Sequence, residues 1–100
     1  MHRDAALAIL IAHAAELNEL GVVSASLFGS TARNEASEAS DVDIAVQLTP
    51  GPRGFSHIGR MERLREILAS WLGTEVDVIE EPTSRARIQS EIDRDRARAF

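Results

Sequence analysis

The sequence predicts a small α+β domain, α/β-like in its alternation, with a mixed β-sheet flanked by helices. Three observations carry that reading. Three short apolar, β-branched runs occur, at Val22 to Phe28, Asp41 to Leu48 and Glu75 to Ile79. Stripes at helical period precede, separate and follow them. Glycine or proline punctuates most of the junctions.

The elements follow in order. Asp4 to Leu20 is the first expected helix, because Leu7, Leu10, Ile11, Ala14 and Leu17 recur at helical spacing. Asp4 is its expected N-cap and Gly21 its stop. Val22 to Phe28 is a buried strand that ends at Gly29-Ser30, and Thr31 to Ala36 a short helical turn. Asp41 to Leu48 is the second strand, with Val42, Ile44 and Val46 alternating against Asp41, Asp43 and Ala45. Pro50 to Gly54 is the strongest loop signal, either a lid or a plain connector. A long helix spans Ser56 to Leu72 with Ile58, Met61, Leu64, Leu68 and Trp71 as its core stripe, and Gly73 stops it. Glu75 to Ile79 is the third strand, closed by Pro82. Thr83 or Ser84 caps a last helix with Ile88, Ile92 and Ala99 on one face. Its arginines, Arg85, Arg87, Arg94, Arg96 and Arg98, read as a solvated face balanced by Glu91, Asp93 and Asp95. Periodicity leaves the strand order open.

Composition bounds the rest. One hundred residues, 44% hydrophobic and 27% charged, suit one domain over 1–100 that folds without staples. The absence of cysteine excludes disulfides and thiolate metal sites. No signal peptide and no membrane-spanning run is present in the sequence, so a cytoplasmic location is the expectation. A net charge of −5 argues against direct nucleic-acid binding. It leaves room for a single nucleotide whose phosphates are neutralised by metal. His2, His13 and His57 make no metal-spaced pair, and Glu35, Glu38, Glu80 and Glu81 read as solvated.

Three segments carry candidate chemistry. Asp41 and Asp43 lie at i and i+2 of a strand, so they share one face about 6.6 Å apart. Their mutual repulsion is relieved by a cation, and two ions about 3.5–4 Å apart could bridge both carboxylates and a triphosphate. The same pattern also suits a strand that starts at an exposed turn with both aspartates solvated. Gly29-Ser30 ends an apolar strand and opens a turn. Glycine admits close backbone approach, Ser30 and nearby N–H groups favour phosphate, and Arg33 adds a charged donor. A simple strand-to-helix turn with Ser30 as a cap fits equally. Asp77 stands between valines in the third strand, on a functional face or in ordinary alternation.

Together these segments form an ordered set: Gly29-Ser30-x-x-Arg33, then Ser40-Asp41-Val42-Asp43-Ile44, then the strand aspartate in Val76-Asp77-Val78-Ile79. That set resembles the minimal nucleotidyltransferase (MNT) branch of the DNA polymerase β-like nucleotidyltransferase superfamily, over nearly the whole chain. The resemblance implies the nucleotidyltransferase fold, and Gly29, Ser30 and Arg33 as contacts to the phosphates of ATP. It implies Asp41, Asp43 and Asp77 as ligands of two Mg²⁺ ions, with Asp77 also helping to activate an acceptor hydroxyl. Where the family often has glycine after the arginine stands Asn34, which tolerates the left-handed conformation. No second domain to hold a base or a nucleic acid is foreseen. MNT proteins are commonly paired with HEPN-domain toxins, so the resemblance further implies an antitoxin in a hetero-oligomer that moves AMP to a tyrosine of its partner. A non-catalytic module that neutralises by docking is the alternative. The chain has no tyrosine of its own to modify.

Overall fold

The computed structural model describes residues 1–37, 39–51 and 54–100. Its elements are α1 (Arg3–Ala12), α2 (Ala14–Glu19), β1 (Val22–Phe28), α3 (Gly29–Ala32), β2 (Val42–Leu48), α4 (Phe55–Leu72), β3 (Val76–Glu80), α5 (Ala86–Asp95) and β4 (Ala97–Arg98). The four strands form one sheet in the order β3-β2-β1-β4. β1 runs antiparallel to β2 and to β4, while β2 and β3 are parallel. The parallel pair follows from α4, since parallel neighbours need a long crossover between them.

Strand alternation divides the sheet into two faces. On one, Val22, Ala25, Leu27, Val42, Ile44, Val46 and Val76 meet Ala6 and Leu10 of α1, Leu17 of α2, and Leu64, Leu68 and Leu72 of α4. On the other, Phe28 and Ala45 meet Ile92 of α5, with Ile79 and Ile88 packed beside them. Gly73 ends α4 in the left-handed conformation at φ 70°, and its N–H closes on the Ala69 carbonyl.

Several expectations need correction. The first helix does not run unbroken to Leu20: it breaks at His13, whose ring stacks on Trp71 at 3.8 Å and contacts Glu16 at 2.7 Å. Asp4 is not its cap but lies in the first turn, with His2 at the N-cap. Ile11 and Ile58, read as core, are 55% and 60% exposed, and Leu72 takes the buried place on α4. The turn after β1 starts at Gly29 rather than Thr31. α5 begins at Ala86 without a side-chain cap, although Thr83 Oγ1 accepts the Arg85 N–H at 3.3 Å. Ala99 is not on α5. The chain turns at Arg96 into β4, and Ala99 donates its N–H to the Ala25 carbonyl. Asn34 does adopt positive φ, at 60°. The Pro50 to Gly54 loop includes Pro52 and Arg53, which lie outside the described residues, as does Glu38.

Candidate active site

Asp43 is the centre of the site. It sits on β2, opposite Phe28 of β1 and beside Asp77 of β3 in register. The strand neighbours Val42 and Ile44 are fully buried on the core face, which turns Asp43 to the α5 face. Asp77 lies on the adjacent strand, about 4.8 Å away across the ladder. Asp41 is exposed just before β2 begins, two residues from Asp43, and its charge reaches that carboxyl.

Gly29 closes the site from the end of β1. Its φ of 71° favours glycine, and a Cβ there would fall inside contact distance of Asp43 Oδ2, with Cγ at 3.3 Å. The backbone of the turn therefore lies directly against the carboxylate, and any side chain would push the two apart. Ser30 follows, half-buried, with its carbonyl accepting the Glu35 N–H at 2.8 Å. The Gly29 carbonyl accepts the Arg33 N–H at 3.2 Å, which tightens the turn.

The electrostatics are those of an anionic site. Burial first, then the charges of Asp77, Asp41 and Glu91, push the Asp43 carboxyl up to about 6, and Arg33 partly opposes this. Glu91 comes from α5, so four carboxylates share the field. A carboxylate raised mainly by burial and like charges is relieved by a bound cation. The donors are all carboxylate oxygens, which suits a hard divalent ion such as Mg²⁺ or Mn²⁺. The residues therefore fit a metal, although among the described residues no three His, Cys, Asp or Glu side chains already stand as a metal cage.

Not every candidate is brought to the same point. Gly29, Asp43 and Asp77 converge, Asp41 stands at the rim and Ser30 beside the turn. The Arg33 guanidinium is engaged by Asp95 at 2.6 Å and Glu35 at 3.2 Å. Residue reading missed α5 as a wall of the site. Ile88, Glu91, Ile92 and Asp95 fall at i, i+3, i+4 and i+7, so two acids share the stripe that packs inward. Glu81, expected to be solvated, is also inside. Its side chain is 4% exposed and bonds Arg96 and Gln89, which holds its carboxyl below the usual range.

A glycine turn packed on paired strand aspartates in a mixed sheet is the arrangement of a nucleotidyltransferase domain. The nucleotidyltransferase domain family matches residues 10–98, and the chain belongs to that family. It is 46% identical over 59 residues to a Methanocaldococcus jannaschii protein provisionally named a protein adenylyltransferase, and that match spans 59% of each chain. It is 43% identical over 72 residues to the protein adenylyltransferase MntA of Thermococcus cleftensis, covering 71% of this chain and 69% of the relative. Among solved structures, one provisionally described as a minimal nucleotidyltransferase superposes with a TM-score of 0.77 at 29% identity, covering 97% of this chain and 95% of that one. The same fold occurs, at 20% identity and a TM-score of 0.67, in a toxin–antitoxin structure with AMP-PNP, covering 86% of this chain and 71% of that one. It occurs again, at 18% and 0.58, in the complex of a tri-AMPylated Shewanella oneidensis HEPN toxin with an MNT antitoxin, covering 86% of this chain and 67% of that one.

Proposed function

We propose that this domain transfers AMP from ATP to a hydroxyl of a HEPN-type toxin, most simply a tyrosine, and so acts as its antitoxin in a hetero-oligomer. The single observation that carries the reading is the packing of the Gly29 turn on Asp43 beside Asp77. The turn of Gly29 and Ser30 receives the phosphates, because only a residue without a Cβ leaves room there beside the carboxylate. Arg33 supplies a directional donor to a phosphate oxygen. Asp41, Asp43 and Asp77 would hold Mg²⁺, two ions by family likeness, which when bound supplies charge neutralisation at the triphosphate. Asp77, the outer aspartate, orients the acceptor hydroxyl. The acceptor oxygen bonds the α-phosphorus, the bond to the β-phosphate breaks, pyrophosphate leaves, and the hydroxyl proton passes to Asp77 or water. Such transfer depends on positioning and electrostatics more than on covalent help from the protein.

The relatives named protein adenylyltransferase and the AMPylated toxin complex of like fold support the acceptor class. Among the described residues no helix is long and apolar enough to cross a membrane. We place the reaction in the cytoplasm with its ATP. Intact-mass measurement of the chromosomal neighbour, co-expressed with this protein, tests the reading. AMP additions with the wild type and none with Asp41→Ala/Asp43→Ala support it. Unmodified neighbour that both forms still neutralise shifts the function to docking alone.

A further inference from the structure

α5 does more than cover the sheet. Ile92 is fully buried, and one turn on, the Asp95 side chain is only 4% exposed. A carboxylate so enclosed needs partners. Arg94, its chain neighbour, donates to Oδ1 at 3.0 Å and to Oδ2 at 3.1 Å. Arg33 also donates to Oδ2, at 2.6 Å, from 62 residues away. Arg33 is the residue that ends α3, and its own N–H closes on Gly29. Its Nε donates to Glu35 at 3.2 Å, and its Nη2 has no partner among the described residues.

We infer that Asp95 is a positioning residue for nucleotide binding: through Arg33 it ties the Gly29–Ala32 turn to α5 and holds the guanidinium with one edge left for a phosphate oxygen. The inference rests on the nucleotide-transfer reading of this site. A free surface arginine must give up rotamer freedom when it binds a phosphate, whereas one pinned by two carboxylates has lost it on folding. The two acids also cancel the charge of Arg33. Its contribution is then a directed donor, a task of the planar fork that lysine does not reproduce.

The test is equilibrium titration of Mg²⁺–AMP-PNP into wild type, Arg33→Ala, Asp95→Ala, the double variant and Arg94→Ala, each checked by urea unfolding. Asp95→Ala and Arg33→Ala each weaken binding about tenfold, and the double variant binds no more weakly than Arg33→Ala alone. Arg94→Ala, which removes the other partner of Asp95, stays within about twofold of wild type. Arg33→Lys, which keeps a positive charge opposite Asp95 without the planar fork, retains near-native stability but not affinity, which a purely structural pair would not do. If Asp95→Ala does not fold, Asp95→Asn decides, with weakened binding and near-native stability expected. Wild-type affinity in Asp95→Ala or Asp95→Asn, additive losses in the double variant, or wild-type affinity in Arg33→Lys overturns the inference alone. A wild type that does not bind Mg²⁺–AMP-PNP overturns the transfer reading with it.

Discussion

Replacing Asp43 by asparagine should make the metal-free domain more stable while ending its activity. The reason lies in the carboxyl's displacement from 3.8 to about 6, caused first by burial and then by Asp77, Asp41 and Glu91. Between those values the folded chain binds a proton that the unfolded chain has lost. Stability therefore falls as pH rises through that window and stays reduced at neutral pH. At full strength the displacement is worth about 3 kcal/mol, and solvent at a half-buried group cuts this to about 1–2 kcal/mol. The substituted amide carries no charge and escapes the penalty. In EDTA at pH 7.5, urea or thermal unfolding should place Asp43→Asn above wild type, by about 5–15 °C in Tm for a domain of this size. At pH 4.5 the difference should shrink to about a third, because the folded carboxyl is then protonated while the unfolded one is still mostly ionised. Added Mg²⁺ should raise wild type and leave the variant unmoved. A variant that unfolds before wild type at pH 7.5 refutes the reasoning and makes Asp43 a structural residue.

Three further outcomes follow from the same geometry. Gly29→Ala combines a positive φ with a Cβ against Asp43, so it should cost at least about 1 kcal/mol and abolish nucleotide binding, measured by unfolding and by titration. Leu64→Ala, at a position 2% exposed, should cost about 2–5 kcal/mol in urea unfolding and leave the activity per folded molecule unchanged. Glu81 is held below 4.5 by Arg96 and Gln89, so its contribution exists above that value and is lost as pH falls through the lowered one. Acid unfolding of Glu81→Gln should show a flatter slope below pH 4.5 than wild type.

The strands were legible because their signal is local. The first strand spans the residues its β-branched run predicts, the second starts one residue later with the same end, and the third is shifted by one. β4 was not legible: two residues carry no period, and only pairing with Ser26 and Leu27 makes Ala97 and Arg98 a strand. The break at His13 is likewise tertiary, since its stacking partner Trp71 lies on α4, far along the chain. Gly29, Asp41, Asp43 and Asp77 were legible through their order and spacing, and β2–β3 pairing brings Asp43 beside Asp77. The part of α5 was hidden by its arginines, which suggest a solvated helix. The inward placement of Glu91, Asp95 and the Glu81–Arg96 pair depends on which face packs, and only the apolar partners Phe28 and Ala45 decide that.

The central claim is transfer of AMP to a partner's hydroxyl, and a kinetic transfer assay tests it most directly. Purified protein, Mg²⁺, α-labelled ATP and the product of the chromosomal neighbour, the proposed partner, are mixed beside an Asp41→Ala/Asp43→Ala control. The account predicts label on the partner with wild type only, dependent on the divalent ion. It predicts loss of that label when the partner's tyrosines are replaced by phenylalanine. Equal labelling by the control, or none by either form while the partner is still neutralised, contradicts it.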